Sequence, residues 1–210
     1  MEGYMRNLTY IVILTFIMFV YPVYSSNPYE NTTTRIYFDK TAKDGVVELI
    51  NLAKSTIDIQ MYNFTNNKEC EPVFTALKNA ICRGVRIRIY IDNRGANNPL
   101  NKDKTKNETG FPEETLENWQ CEPSNGGSCV VRWDNRSTQM HRKLAIIDKC
   151  YVWIGSTNWT GKGFDVNDEV NIKVESPDIA TILEGQFIMD WNNKERTQDV
   201  YPGNESDEEP

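Results

Sequence analysis

Apolar and polar residues follow two different periods in the first half of the chain. Apolar side chains occupy every second position within 57–61 and 85–91, a pattern that predicts β-strands. Apolar residues at helical spacing predict one helix that begins near Thr41 and another that begins at Pro72 and ends at Gly84. A strand, a helix and a second strand therefore follow one another, which is typical of a sheet covered by helices.

The second half continues the alternation of strands and helices. Short apolar segments predict strands at 35–38, 130–133, 144–147, 151–154 and 169–174. Ser176, Pro177 and Asp178 are typical of a helix start, and the apolar residues after them predict a final helix. The predicted fold is α/β, with a mixed, mostly parallel central sheet flanked by helices on both faces.

Three segments depart from this pattern. Residues 1–25 contain one basic residue, Arg6, then an apolar run, then a small residue, Ser25, which together predict a signal peptide; the alternative is an uncleaved signal-anchor. Residues 93–128 are rich in Asn, Lys, Glu, Gly and Pro and predict a long loop. Residues 197–210 predict a disordered acidic tail, which leaves 26–196 as a single domain.

The net charge of −7 bears on the partners of the chain. Proteins that bind polyanions without specificity are usually basic, so this charge argues against tight, non-specific binding of nucleic acid. It leaves room for a local anion groove built from arginines, and the alternative is that these arginines pair with acids on the surface. The arginines in question are Arg83, Arg86, Arg88, Arg94, Arg132, Arg136 and Arg142.

Cysteines and glycosylation sequons agree with an exported protein. Of five cysteines, Cys121 and Cys129 flank a turn-rich segment and are the candidate disulfide pair, and idle thiols in a reducing compartment are the alternative. Localisation to the ER lumen or secretion follows from the signal peptide. Seven N-x-S/T sequons make the chain a candidate glycoprotein; they begin at Asn7, Asn31, Asn63, Asn107, Asn135, Asn158 and Asn204.

Candidate chemistry centres on His141, the one histidine among the 210 residues. It opens the segment H-R-K-L-A-I-I-D, which places Lys143 two residues and Asp148 seven residues later. The polar residues that follow are Gly155-Ser156-Thr157-Asn158 and then Glu169. Imidazole is a nucleophile, and lysine, serine and asparagine can stabilise phosphate oxygens, so the set suits attack on a phosphate. The alternative is a structural histidine beside an ordinary strand.

The order His141-x-Lys143-x4-Asp148, followed by Gly155-Ser156-x-Asn158 and Glu169, resembles the signature of the phospholipase D superfamily. Most members carry the motif twice. This chain carries it once, like the single-motif branch of bacterial Nuc-type endonucleases and mitochondrial Zucchini-type phosphodiesterases. The resemblance covers about residues 35–192 and implies a phospholipase D-like fold.

This resemblance also implies a role for each residue of the motif. His141 attacks phosphorus and forms a phosphohistidine, and Glu169 holds the imidazole in its reactive tautomer. Lys143, Ser156 and Asn158 bind the phosphate oxygens. Asp148 and Gly155 are expected to be structural. Neither a metal nor another cofactor is expected, because lysine and amide groups supply the stabilising charge.

A single histidine per chain has a consequence for assembly. If a second histidine serves as general acid, another copy of the chain must provide it, which predicts a homodimer with a composite active site. The favoured function is an endonuclease acting on DNA or RNA. The alternatives are a hydrolase of a phospholipid such as cardiolipin, and a non-catalytic binding protein of the same fold. The mitochondrial relatives also offer an alternative location, the outer membrane, through an uncleaved N-terminal anchor.

Overall fold

The structure, a computed structural model, describes residues 32–65, 67–92, 119, 121, 125–195 and 197–198. The strands are β1 (Thr33–Phe38), β2 (Thr56–Met61), β3 (Arg86–Asp92), β4 (Ser128–Asp134), β5 (Lys143–Ile147), β6 (Tyr151–Gly155), β7 (Val170–Glu175) and β8 (Thr197–Gln198). The helices are α1 (Thr41–Leu52), α2 (Glu71–Cys82), α3 (Gly161–Asp165) and α4 (Pro177–Trp191).

The described strands form one sheet in the order β1-β7-β6-β5-β2-β3-β4-β8. The prediction of a mixed α/β sheet is confirmed, but the expectation that most strands run parallel is corrected. Only β2, β3 and β4 are mutually parallel, and the remaining neighbours in the described sheet pair antiparallel. The turn at 148–150 between β5 and β6 is too short for a crossover, so these strands must form a hairpin.

Helices cover both faces of the sheet, as predicted. Alternate residues of β5 show the division: Ala145 and Ile147 belong to a core with α1 and α2, whereas Leu144 and Ile146 belong to a second core with α4. Both sets are buried, so β5 lies in the centre of the sheet. A strand buried on both faces is nearly continuously apolar, which explains the sequence L-A-I-I.

Local sequence signals mark the helix ends. Pro72 lies in the first turn of α2, and Gly84 follows its end with a φ of +93° and an N–H that donates to the carbonyl of Ile81 at 2.9 Å. A residue with a side chain rarely adopts this conformation, so glycine suits the stop. The Ser176 hydroxyl accepts a hydrogen bond from the Ile179 N–H and caps α4.

The described cysteine linkage corrects the predicted one. Cys82 at the end of α2 is bonded to Cys121, with Cα atoms 5.3 Å apart. Cys129 is instead buried in β4, opposite Ile87, with its side chain in the core. The Trp119 indole N–H lies 3.4 Å from the Cys82 sulfur, at the same helix end. The pairing depends on the path of the chain and not on spacing along the sequence.

Several sequence predictions lie wholly or partly outside the described residues. These are the N-terminal segment 1–25, most of the loop 93–128, and residues 199–210 of the tail. Thr197 and Gln198, predicted as part of a disordered tail, instead pair with Asp134 and Trp133 as strand β8. No helix within the described ranges has the length and apolar character needed to cross a membrane.

Candidate active site

The segment that carries His141 is fixed between β2, β3 and β5. The N–H of Tyr62, directly after β2, donates to the carbonyl of Arg142 at 2.9 Å. The N–H of Met140 donates to the buried carboxylate of Asp92 at 2.7 Å. Lys143 then begins β5 and pairs with Met61. These contacts hold the backbone on both sides of His141.

The imidazole of His141 is exposed and lies against an aromatic ring. Its centroid is 4.6 Å from that of Tyr62, and the two planes are inclined by 54°. No hydrogen bond from another described residue reaches the imidazole nitrogens. Partial burial and then the nearby Lys143 charge lower the pKa of His141 below its ordinary 6.5, although Asp92 opposes them. The neutral, nucleophilic form therefore predominates at neutral pH.

Lys143 is a buried cation close to the backbone of His141. Its side chain is 5% exposed, and its ammonium donates to the carbonyl of His141 at 3.0 Å and lies 5.0 Å from the centroid of the Tyr62 ring. Burial lowers the pKa of Lys143 to about 8, while the Glu169 and Asp92 carboxylates act in the opposite direction. The group remains largely charged at neutral pH and loses that charge as the pH rises through about 8.

Ser156 and Glu169 contact each other beside the ends of β6 and β7. The Ser156 hydroxyl donates to the Glu169 carboxylate and accepts from the N–H of Val170 at 3.1 Å. The same carboxylate accepts from the Asn167 amide at 3.1 Å. Glu169 was predicted to hold the imidazole of His141, but within one described chain no hydrogen bond joins them. The tautomer-holding role remains a prediction.

Asn158 lies in a loop with a closely fitted base. Asn171, fully buried, donates to the Thr157 hydroxyl at 2.7 Å. A Cβ added at Gly155 would collide with the Asn171 side chain and the Val170 carbonyl, so the motif needs glycine at this close approach. No described group hydrogen-bonds to the side chain of Asn158, whose buried Oδ1 has no partner. The amide nitrogen, the group that can donate to a phosphate oxygen, is thus not committed to any described residue.

Asp148, the last residue of the motif, lies at the opposite end of β5. Its carboxylate accepts from the N–H groups of Lys54, Ser55 and Thr56 at 2.8 to 2.9 Å, and from the Ser55 hydroxyl at 2.9 Å. Burial works against this charge, but the hydrogen bonds lower the pKa of Asp148 below its ordinary value. The carboxylate ties the β5–β6 turn to the start of β2.

The arginines considered for an anion groove are largely held by protein groups. Three of them make ion pairs: Arg88 with Asp58, Arg136 with Asp134, and Arg142 with Asp190. The guanidinium groups of two others donate to backbone carbonyls: Arg83 to Ile50 and Ala53, and Arg132 to Trp191. Arg94 lies outside the described residues. The contacts thus bear out the alternative of pairing with acids for three of the six described arginines, and Arg86 is exposed with no ion pair to a described acid.

Three residues outside the motif contact His141 or its neighbours: Tyr62 lies against the imidazole, Asp92 accepts from the Met140 N–H, and Asp190 pairs with Arg142. Tyr62 follows the last residue of an alternating strand, where side chains often face a site, and this was the available signal. Asp92 likewise ends β3. Asp190 lies 48 residues beyond Arg142 and had no sequence signal. Among the described side chains, no group of three or more His, Cys, Asp or Glu residues could hold a metal ion.

Comparisons with known proteins cover most of the chain. Residues 46–191 match the family model described as "Cardiolipin synthase, PLD-like domain". The probable cardiolipin synthase YwiE of Bacillus subtilis is 26% identical over 179 residues, which are 85% of this chain and 32% of that protein. The mitochondrial cardiolipin hydrolase of Chlamydomonas reinhardtii is 26% identical over 152 residues, 72% of this chain and 58% of that protein. The chain thus spans less than two thirds of these relatives.

Two solved structures share the fold. Nuc from Salmonella typhimurium, a phospholipase D family member, superposes with a TM-score of 0.64 at 24% identity, over 80% of this chain and 98% of that chain. NucT from Helicobacter pylori superposes with a TM-score of 0.52 at 17% identity, over 75% and 94%. At these identities the likeness concerns the fold.

Proposed function

The chain belongs to the phospholipase D superfamily through its PLD-like domain, and from that membership we propose that it is a metal-independent phosphodiesterase with His141 as nucleophile. One observation carries the proposal. The exposed imidazole of His141, with a lowered pKa, lies against the ring of Tyr62, and the buried ammonium of Lys143 lies 5.0 Å from the same ring and 3.0 Å from the His141 carbonyl oxygen. A neutral nucleophile beside a cation suits attack on an anionic diester.

The reaction follows from these groups in two displacements. An imidazole nitrogen of His141 forms a bond to phosphorus while the bond from phosphorus to the leaving oxygen breaks, and a general acid protonates that oxygen. Water then attacks phosphorus, the nitrogen–phosphorus bond breaks, and the water proton returns to the acid group. Lys143 and the uncommitted amide of Asn158 stabilise the charge on the non-bridging oxygens in both steps.

A second copy of the chain supplies the general acid in this proposal. The 210 residues contain one histidine, and the second imidazole is proposed to be the His141 of another copy. Glu169 is committed to Ser156 within one chain, and the His141 imidazole has no hydrogen-bond partner among the described residues of that chain. A two-fold arrangement would place the same patch of each copy against the other and surround one phosphate with both motifs.

An apolar strip beside the motif supports this assembly. Side chains of β1, β7 and β6 that are 36% to 58% exposed form it, and they are Ile36, Phe38, Ile154, Val170 and Ile172. Strand register places them side by side, since Ile172 pairs with both Ile36 and Ile154, and Phe38 pairs with Val170. The strip begins next to Glu169 and lies on the sheet face that α4 covers elsewhere. Contiguous exposed apolar surface marks interaction sites, and a second copy is the proposed occupant.

The proposed substrate is the phosphodiester backbone of a nucleic acid, cut internally. The described surroundings of His141 are polar and aromatic, and the half-buried ring of Tyr62 lies where a nucleotide base next to the reacting phosphate could stack. The second candidate is a phospholipid headgroup, because the named sequence relatives are a cardiolipin synthase and a cardiolipin hydrolase. The ion-paired arginines do not favour either substrate.

The proposed location is the secretory pathway. The linkage of Cys82 to Cys121 supports it, because disulfides persist in oxidising compartments. Asn135, exposed in the segment between β4 and β5, is the described sequon best placed for a glycan. The alternative location is the mitochondrial outer membrane, through residues 1–25.

Substrate incubation tests the proposed function. Purified protein is mixed with end-labelled single-stranded DNA, with RNA and with cardiolipin vesicles, each in excess EDTA, beside a His141→Asn control. We expect the wild-type protein to cleave a nucleic acid internally. EDTA should not inhibit this cleavage, and the His141→Asn variant should show none. Cleavage of cardiolipin without cleavage of either nucleic acid would reject the proposed nuclease activity and support the phospholipase alternative. Activity that requires an added metal, or that survives in the variant, would reject the mechanism.

A further inference from the structure

The residue between the nucleophile and the lysine points away from both. Leu144 and Ile146 of β5 face α4, and by strand alternation the side chain of Arg142 lies on that same face. There its guanidinium makes an ion pair with Asp190 and donates to the Gln60 amide oxygen at 3.2 Å. Arg142 thus links the active-site segment to a helix that contributes no residue to the motif.

The acceptor at the other end is firmly fixed. Asp190 is 1% exposed, and its carboxylate also accepts from the amides of Gln60 at 3.0 Å and Gln186 at 3.2 Å. Burial alone would raise the pKa of Asp190, but the hydrogen bonds from Arg142 and Gln60 lower it, so the group is a carboxylate. A buried anion with several donors has little freedom to move.

From this geometry we infer that Arg142 and Asp190 are positioning residues, which hold the imidazole of His141 against Tyr62 and in line for attack. The inference rests on the proposed function, because it assigns a purpose to the orientation of the nucleophile. Three anchors then fix the segment: the Met140 N–H on Asp92, the Arg142 carbonyl on Tyr62, and the Arg142 side chain on Asp190. Of these three, the last acts through a side chain of the segment, and the Gln139 amide adds a second side-chain contact by donating to the Tyr62 hydroxyl at 3.3 Å.

Two other roles for Arg142 make different predictions. As a phosphate-binding residue, it would alter KM when replaced, because its 42% exposed side chain would contact substrate. If Arg142 only forms an ion pair that stabilises the fold, its replacement would change the free energy of unfolding and leave kcat and KM unchanged. Lys149 provides the matched control, since its ammonium pairs with Glu184 of the same helix at 3.0 Å, in the turn at the far end of β5.

The single histidine gives a direct readout of position. NMR of the imidazole in untagged, histidine-labelled protein yields one set of signals, displaced by the ring current of Tyr62. Loss of the Arg142 charge would by itself raise the pKa of His141, whereas loss of the Asp190 charge would by itself lower it, so a rise in both variants reports movement of the ring. The variants are Arg142→Ala, Arg142→Lys, Asp190→Asn and Lys149→Ala.

We expect Arg142→Ala to lose the ring-current displacement, to raise the pKa of His141 toward its ordinary value, and to lower kcat about 10- to 100-fold, the scale of a small misplacement of a reacting group. KM should change less than about threefold, since Arg142 does not bind substrate in this account. Arg142→Lys and Asp190→Asn, which alter the same pair more conservatively, should show intermediate effects. Lys149→Ala should resemble the wild type in all three quantities.

Unchanged imidazole signals and kcat in folded Arg142→Ala and Asp190→Asn would overturn the inference, and so would a rise in KM at constant kcat. The NMR measurement needs no turnover. Wild-type protein that cleaves no phosphodiester would therefore reject the proposed function, while the imidazole signals would still decide whether Arg142 and Asp190 fix the ring.

Discussion

The ring of Tyr62 lies against the imidazole of His141, with centroids 4.6 Å apart, and the ammonium of Lys143 lies 5.0 Å from the same ring. One aromatic side chain thus contacts the proposed nucleophile and the proposed phosphate-binding cation together. The ring shields the imidazole from water and so contributes to the lowered pKa of His141, whose first cause is burial.

Replacing this ring should impair catalysis. Tyr62→Ala is expected to lower kcat about fivefold or more, because an aromatic pair contributes about 1 kcal/mol to holding its members. Tyr62→Phe keeps the ring and loses only the hydroxyl that accepts from Gln139, so its kcat should stay within about twofold. Steady-state kinetics with one oligonucleotide compares the two. Equal rates for Tyr62→Ala and wild type would remove the ring from the account.

Activity should depend on pH through two groups. In the dimer the two His141 imidazoles titrate as a coupled pair: the rate should rise as the first of them loses its proton and becomes the nucleophile, while the second keeps its proton as general acid. The rate should fall as the pH rises through about 8, because Lys143 then loses its proton and its charge. Lys143→Arg keeps a charge at every accessible pH and should move the alkaline limb upward.

The control for this pH profile is Lys149→Arg, the same change at a surface ion pair far from His141. Its profile should match that of the wild type. An alkaline limb that stays near pH 8 in an active Lys143→Arg protein would assign that limb to another group.

The apolar strip should hold the dimer together. Ile172→Glu places a charge in its centre, at a position 36% exposed in the single chain, so folding should survive while association and activity are lost. Ile182→Glu on α4 is the matched control, because this isoleucine is 68% exposed outside the strip. Analytical ultracentrifugation and cleavage assays measure both effects. A dimeric, fully active Ile172→Glu protein would exclude the strip as the interface.

The disulfide should contribute substantially to stability. Cys82 and Cys121 are 39 residues apart, and closing a loop of that size stabilises the native state by about 4 kcal/mol in the chain-entropy model. Cys82→Ser should therefore lower the free energy of unfolding by an amount of that order, whereas Cys150→Ser should change it little. Non-reducing peptide mapping should recover a Cys82–Cys121 peptide. A Cys121–Cys129 peptide would contradict the structure.

Periodicity predicted the elements because local packing determines them. The strands at 57–61 and 85–91 could be predicted from which side chains face a core. The start of α4 could be predicted from its N-cap, Ser176. Strand direction in the second half was partly wrong, because the β-α-β order of the first half was extended to strands joined by a tight hairpin. The 148–150 turn between β5 and β6 carried the information needed to predict antiparallel pairing.

The motif residues were identifiable because their spacing places them at the ends of adjacent strands. The residues around them were not, since their contacts join distant parts of the chain. Arg142 and Asp190 are 48 positions apart, and Cys82 and Cys121 are 39 apart. Nothing local in the sequence distinguishes Asp190 from any other acid on a helix. The pairing of Glu169 with Ser156 likewise depended on how β6 and β7 align.

Chemical trapping of the phosphohistidine is the decisive test of His141 as the nucleophile. Protein and a cleavable phosphodiester are mixed for a time shorter than one turnover, quenched in alkaline denaturant to preserve any nitrogen–phosphorus bond, digested, and analysed by mass spectrometry. We expect a substrate-derived phosphoryl group on the peptide that contains His141, absent from the His141→Asn variant. Turnover without a modified His141, or with the phosphoryl group on another residue, would contradict it.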